Sequence, residues 1–185
     1  MGTHQPRRRL LTDLAVGVGL VLFIIAARLL PHPPNFTPVA AVALFSAYFF
    51  RTRQWAAVVP LLGMIITDFF LPSYAWHQRL IVYASFLVCF FIGFYLRKKY
   101  NVTRTIVTSL GASLTFYIIT NCVFLYHGSG PVMYPHTLAG QLSSYINALP
   151  FLRWTILGDL TYSLTLYIAY HYAHAKSVLR RSIIT

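Results

Sequence analysis

The chain has 185 residues, of which 57% are hydrophobic and only 10% are charged. This composition excludes an ordinary soluble globular protein, and the length suits one domain covering residues 1–185. The net charge is +12, but the basic residues lie in short clusters between apolar stretches. That distribution is typical of the cytoplasmic loops of membrane proteins and argues against nucleic-acid binding.

The apolar stretches predict an all-α integral membrane protein with six transmembrane helices. A helix needs roughly 20 apolar residues to cross a bilayer, and the second and third stretches are short enough to be tilted or partly re-entrant. The basic start followed by a long apolar run, without a clear cleavage site, predicts an uncleaved first span. The predicted spans cover residues 10–30, 38–50, 55–72, 79–97, 104–125 and 150–174.

The positions of the basic residues predict the orientation of these spans. With the N-terminus in the cytoplasm, twelve basic residues fall on the inner side and three on the outer side, and an odd number of spans would place one basic terminus outside. Both termini are therefore predicted to be cytoplasmic. The inner residues are Arg7, Arg8, Arg9, Arg51, Arg53, Arg97, Lys98, Lys99, Arg104, Lys176, Arg180 and Arg181, and the outer ones are Arg28, Arg79 and Arg153.

The outer connections are chemically more varied than the inner ones. The first, Pro31 to Pro38, is Pro-rich and cannot be helical at its start. The second runs from Leu71 to Gln78. The third runs from Tyr126 to Leu149, and its part TLAGQLSSYINAL is predicted to form a short interfacial helix before the sixth span begins at Pro150.

The chain has three acidic residues, and two of them, Asp68 and Asp159, interrupt apolar spans. A carboxylate that faces lipid costs on the order of 3 kcal/mol or more, so each is expected to face the protein interior. The rise of a helix places Asp68 about 6 Å and Asp159 about 13 Å from the outer ends of their predicted spans. Either carboxylate could pair with Arg28 or Arg153, and Asp159 is the stronger candidate for a ligand contact.

Polar side chains form stripes on the fifth and sixth predicted helices. Such stripes serve as interhelical hydrogen-bond contacts in many membrane proteins, but both reach the outer half and could wall a pocket. The helical spacing i, i+4, i+7, i+8 joins Ser113, Tyr117, Thr120 and Asn121 on the fifth helix, and Thr155, Asp159, Tyr162 and Ser163 on the sixth.

Other patterns in the sequence point to packing or exclude particular functions. Ala15 and Gly19 form a small-xxx-small pair suited to close helix contact, either within the bundle or with another subunit. The two cysteines, Cys89 and Cys122, lie in apolar segments and are predicted to be packed thiols rather than a disulfide. The motifs of P-loop ATPases, zinc proteases and serine hydrolases are absent, so we expect neither an enzyme nor a cofactor.

The segment RLLPHPPNFTPVAAVALF, from Arg28 to Phe45, resembles a bacterial family of small membrane proteins assigned to transport. That family is related to the substrate-binding S components of energy-coupling factor (ECF) vitamin transporters. Shorter matches follow in the same order along nearly the whole chain: TD at Thr67–Asp68, TN at Thr120–Asn121, YP at Tyr134–Pro135, and PF…GD from Pro150 to Asp159.

The resemblance implies an S-component-like bundle of six helices that binds a small substrate near the outer surface. It also implies docking to a separate ECF transmembrane subunit through small residues of the first helix, here Ala15 and Gly19, with ATP hydrolysed by other subunits. Some relatives work alone and bind cobalamin through a cysteine, and Cys122 would be the matching cobalt ligand here.

The sequence therefore predicts a bacterial inner-membrane subunit that captures a small vitamin-like molecule from the outer side. His32 and Asn35 would contact and gate the substrate, Asn121 and Asp159 would hydrogen-bond it, and Arg28 and Asp68 would orient these groups. Aromatic walls, which small-molecule sites usually need, would come from Tyr74, Trp76, Tyr117 and Tyr162.

Two alternatives remain open at this stage. An intramembrane enzyme could use Asp68 and Asp159 as an acid/base pair, since two interacting carboxylates titrate as a unit. That reading requires their carboxyl oxygens to lie within hydrogen-bond reach. A structural subunit without a ligand would instead have its outer half packed solid with side chains.

Overall fold

The computed structural model describes residues 4–72, 75–126 and 134–184, with backbone only for 4–8 and 178–184. The described part of the chain is all-helical, with six α-helices and two short 3₁₀ segments. The helices are α1 (His4–Leu29), α2 (Val39–Phe49), α3 (Arg53–Asp68), α4 (Trp76–Gly93), α5 (Val102–Thr120) and α6 (Leu138–Ile184), and the 3₁₀ segments are Phe94–Lys98 and Val123–Leu125.

Three helical segments are long and apolar enough to cross a membrane, namely Arg9–Leu29, Trp76–Lys98 and Val102–Thr120. Helix α2 is also apolar, but it has only 11 residues. These segments indicate a membrane protein. The prediction of an all-α bundle is thus confirmed for the described residues, while six full spans and the cytoplasmic termini stay predictions.

Helix α2 lies at the centre of the bundle and is buried on nearly every side. Its residues are mostly Ala, Val and Leu, and a helix that is apolar all round is stable only when it is surrounded. Neighbours approach it closely: a Cβ on Gly93 of α4 would lie 2.7 Å from Ala47 Cβ and 2.8 Å from Leu44 Cα. The absence of a side chain at Gly93 therefore sets the spacing between α2 and α4.

An arginine caps the C-terminal end of this central helix. Arg97 donates from Nε to the Ala47 carbonyl at 2.6 Å and from a terminal nitrogen to the Phe50 carbonyl at 2.8 Å. The last carbonyls of a helix have no partner within it, and a cation there is also favoured by the helix dipole. Arg97, one of the residues predicted to lie on the inner side, thereby stabilises the core.

Helix α6 has 47 residues and begins 12 positions before the predicted start at Pro150. Thr137 caps it, since its hydroxyl accepts from the Gly140 amide at 3.1 Å. The predicted interfacial helix is the first part of α6 and continues through Pro150 without a break. The expected helix start at Pro150 was wrong, because one proline removes one backbone donor and need not end a helix that is packed on its neighbours. The position at which α6 would enter the membrane stays a prediction.

Candidate functional site

A cavity of about 410 Å³ lies at the end of the bundle where α1 and α3 end and α4 begins. A second cavity of about 270 Å³ adjoins it toward the end of α5. We call these the main cavity and the side cavity. They share four lining residues, Asn35, Val82, Phe116 and Thr155.

The main cavity brings together four of the predicted substrate-binding residues: Arg28, His32, Asn35 and Asp159. They come from the end of α1, the first loop and the middle of α6. The rest of its wall is mostly apolar and is contributed by α2 to α6, the first loop and the segment that follows α3. The other lining residues are Thr37, Val39, Ala40, Met64, Leu71, Val82, Phe86, Phe116 and Thr155.

The loop between α1 and α2 forms one side of the main cavity and is held in a tight fold. The His32 ring nitrogens lie 2.8 Å from the Pro33 carbonyl and 3.3 Å from the Arg28 carbonyl, which draws the loop back onto the end of α1. Asn35 adopts a left-handed backbone conformation, with φ of 65°, which Asn tolerates better than most residues. This turn places the exposed Asn35 side chain on the wall shared by both cavities.

Gly158 allows this loop to lie directly against α6. A Cβ at position 158 would lie 3.1 Å from Phe36 Cα and 3.3 Å from the Thr37 nitrogen. One turn further along α6, Tyr162 packs on the Phe36 ring with centroids 5.2 Å apart. Gly158 was not predicted as a site residue, although a glycine directly before an aspartate in an apolar helix indicates a close approach of another segment.

Asp159 is 3% exposed and lies on the wall of the main cavity. Ser113 of α5 donates to its Oδ2 at 2.6 Å, and the Ser109 hydroxyl lies 2.8 Å from the Asp159 carbonyl oxygen and 2.8 Å from Ser163 Oγ. The predicted polar stripes of α5 and α6 therefore face each other. Serines of the two helices form interhelical hydrogen bonds, and Ser113 positions the Asp159 carboxylate at the cavity.

Asp68 lies outside the cavity wall and is saturated by partners. Its Oδ1 is 3.0 Å from Arg28, its Oδ2 accepts from Tyr83 at 2.7 Å, and Arg79 is 3.6 Å from Oδ2. It is the last residue of α3, so the predicted depth below the helix end was wrong. The expected pairing with Arg28 is confirmed, and Asp68 contributes to the site through that arginine, which does line the cavity.

Two further predicted site residues, Tyr117 and Asn121, line the side cavity. The Tyr117 hydroxyl donates to the Tyr145 carbonyl at 2.7 Å, and its ring packs on Tyr145. Asn121 caps α5, with Nδ2 donating to the Tyr117 carbonyl at 2.9 Å. Its own carbonyl accepts from Gln141 and Ser144, both at 3.0 Å. Both residues thus tie the end of α5 to the first part of α6 as well as lining the cavity.

Besides Asp68, three more of the predicted contact residues line neither cavity. Tyr162 packs on Phe23 of α1 and on Phe36 of the loop between α1 and α2. Trp76 begins α4 and is 73% exposed, since its ring packs on His77 rather than toward the bundle. Cys122 is half-buried beyond the end of α5. Tyr74 lies outside the described residues.

Among the described residues, no group of three or more His, Cys, Asp or Glu side chains could hold a metal ion. Cys89 is buried with its thiol 3.6 Å from the Ala112 carbonyl, and both cysteines are free. Ala15 and Gly19 lie on an exposed face of α1, and a Cβ at Gly19 would meet no atom within 4 Å. Their role in docking stays a prediction.

Comparison with known proteins places the chain in a family. No curated protein and no solved structure matches it at a significant level. The family match extends over nearly the whole sequence, including every residue that lines the two cavities. The chain belongs to a family of unknown function, DUF6580, whose model matches residues 8–181.

Proposed function

We propose that the protein is a membrane substrate-binding subunit that captures a small vitamin-like molecule from the outer side of a bacterial inner membrane. The observation that supports the proposal most directly is the main cavity. Its volume of about 410 Å³ lies within the range of roughly 300–1,000 Å³ that is usual for small-molecule sites. Its wall combines an apolar surface with a few converging polar groups, which is the composition of such sites.

Charge supports the orientation in this proposal. Arg28, Arg79 and Arg153 lie near the cavity end of the bundle, whereas the loops and helix ends at the opposite end carry Arg51, Arg53, Arg97, Lys98, Lys99 and Arg104. Since the more basic side of a membrane protein is usually cytoplasmic, the cavity end would face outward. Both termini would then be cytoplasmic.

The transport role rests on the resemblance to ECF S components. In that role the chain would deliver its substrate through a separate transmembrane subunit and ATPases, or would act alone. Ala15 and Gly19 are placed where a partner could reach them, because their face of α1 is exposed. Co-purification of the tagged chain with ATPase subunits would separate the coupled route from the solitary one.

The two alternatives receive less support from the geometry. Asp68 contacts Arg28 and Tyr83, whereas Asp159 accepts a hydrogen bond from Ser113. Of the two aspartates, only Asp159 lines the main cavity. That separation disfavours an acid/base pair. A structural subunit without a ligand has no use for two adjoining cavities.

Native mass spectrometry of the purified protein with a panel of vitamins tests the capture role. We expect one class of vitamin to stay bound to the wild-type protein and to be lost from Asp159→Ala and Asn121→Ala. Asp13→Ala is the matched control, because Asp13 lies on α1 away from both cavities. Retention of no vitamin by the wild-type protein, or equal retention by all variants, would contradict the proposal.

A further inference from the structure

The carboxylate of Asp159 has no cationic partner among the residues that the structure describes. Both ion pairs in this part of the protein involve Asp68 instead. Only Oδ2 of Asp159 accepts a side-chain hydrogen bond, from Ser113, and Oδ1 accepts none from a described residue. A side chain that is 3% exposed and lines a cavity thus retains hydrogen-bonding capacity toward the cavity.

The basic side chains on the cavity wall already have other partners. Arg28 donates to Asp68 at 3.0 Å and to the Thr67 hydroxyl at 2.6 Å. His32 faces two backbone carbonyls of its own loop. The described residues of the wall therefore include no cation directed to Asp159, although burying an unpaired charge is costly in any protein interior.

Two phenylalanine rings form an apolar face in the same cavity. Phe86 of α4 and Phe116 of α5 both line it, with ring centroids 4.9 Å apart and planes inclined by 32°. Ring faces attract organic cations through their quadrupoles and also bury the apolar body of a ligand. Val39, Met64, Leu71 and Val82 extend this apolar surface.

We propose that the ligand of the main cavity is a small organic cation with an aromatic or apolar body. Its protonated nitrogen hydrogen-bonds Oδ1 of Asp159, and its body lies against Phe86 and Phe116. The ligand supplies the positive charge that the described residues do not direct to Asp159. Binding therefore offsets the free-energy cost of burying an unpaired carboxylate. This inference rests on the proposed function and specifies the substrate class of the same site.

Three probes that share one ring system and differ in the terminal group test this inference on the wild-type protein. They are tryptamine, which is cationic, tryptophol, which is neutral, and indole-3-acetate, which is anionic. We expect tryptamine to bind about tenfold or more tightly than tryptophol, since a hydrogen bond to a charged group is stronger than a neutral one, and indole-3-acetate to bind weakest. Equal affinities, preference for the neutral or anionic probe, or binding of none would overturn the inference.

Asp159→Asn provides the second arm, because it keeps the size of the side chain and removes its charge. We expect this variant to lose the preference for tryptamine, while Asp13→Asn keeps it. If Asp159→Asn does not fold, the ranking of the three probes on the wild-type protein remains decisive. Asp159-dependent stabilisation of the free protein by Na⁺, but not by N-methylglucamine, would assign an inorganic cation to the site and overturn the inference.

Failure of this inference is distinguishable from failure of the capture role. If a neutral or anionic vitamin is retained in native mass spectra and depends on the cavity residues, capture stands and only the charge class is wrong. If neither the vitamins nor the indole probes bind, both proposals fail.

Discussion

At the scale of single residues, the two buried aspartates have opposite surroundings. Asp68 contacts two arginines and a tyrosine hydroxyl. Its ion pair with Arg28 is almost fully removed from water, since the Arg28 side chain is 12% exposed and the Asp68 side chain 5%. Asp159 accepts a hydrogen bond from Ser113 and lines the main cavity. The first arrangement fixes helices α1, α3 and α4 to one another, and the second leaves a group available to a ligand.

Replacing Asp68 with Asn is expected to destabilise the protein. The change leaves the buried Arg28 guanidinium without its countercharge, and breaking one side of a buried pair costs roughly 3–5 kcal/mol. Thermal unfolding in detergent measures the effect as a lowered midpoint. Asp13→Asn serves as the control, because Asp13 forms no ion pair among the described residues. Equal midpoints for the two variants would contradict this role of Asp68.

The sequence predicted the polar stripes of α5 and α6 better than the direction of each side chain in them. Helical spacing correctly placed Ser113 and Asp159 on facing stripes. The same spacing grouped Tyr162 with Asp159, yet Tyr162 points toward the loop and packs on Phe36. A stripe spans an arc of the helix surface, and which edge of that arc meets a cavity depends on how the helix is rotated against its neighbours. That rotation is not encoded in one helix alone.

At the scale of elements, the first loop and α6 form one unit around Asp159. The positive φ of Asn35 turns the loop inward, and Gly158 gives it room against the helix. The Pro-rich sequence predicted a connection that is not helical at its start, but the contact of this loop with α6 joins positions more than 100 residues apart. No local pattern reports such a contact. The extended start of α6 was missed for a related reason, since Gln141 and Ser144 anchor it through tertiary contacts with the end of α5.

Gly158→Ala is expected to displace the loop and weaken ligand binding. The added methyl would lie 3.1 Å from Phe36 Cα and 3.3 Å from the Thr37 nitrogen, which is backbone that cannot move aside like a flexible side chain. Since Thr37 and Asn35 line the cavity, we expect affinity for a bound vitamin or for tryptamine to fall about tenfold, a loss of ~1.4 kcal/mol.

Gly111→Ala is the matched control for that substitution. It makes the same change in helix α5, where the new methyl meets no atom within 4 Å. Alanine is the better helix former by roughly 1 kcal/mol, so this variant should bind normally and unfold at the same or a higher temperature. A binding loss of the same size in both variants would show that the effect does not come from the loop.

At the scale of the whole molecule, the cavity lies at one end of the bundle and the larger group of basic residues, Arg51, Arg53, Arg97, Lys98, Lys99 and Arg104, lies at the other. The cavity end has the Pro-rich loop and the ends of α3 and α5, and the opposite end has the loops at residues 50–52 and 99–101. Central helix α2 separates the two, with its start on the cavity wall and its end capped by Arg97. Toward the basic end, the rings of Phe45, Tyr48, Tyr100 and Tyr170 pack on one another.

This polarity predicts which positions are reached from outside the cell. Asn35→Cys and Arg51→Cys both introduce an exposed thiol in a connection between helices, one at each end. In a chain whose Cys89 and Cys122 are replaced by Ala, a membrane-impermeant maleimide added to intact cells should label Asn35→Cys and leave Arg51→Cys unlabelled until the cells are opened. The reason is the basic cluster around Arg51, which favours the cytoplasmic side. Labelling of Arg51→Cys alone in intact cells would reverse the orientation, and the cavity would then be a site for molecules leaving the cytoplasm.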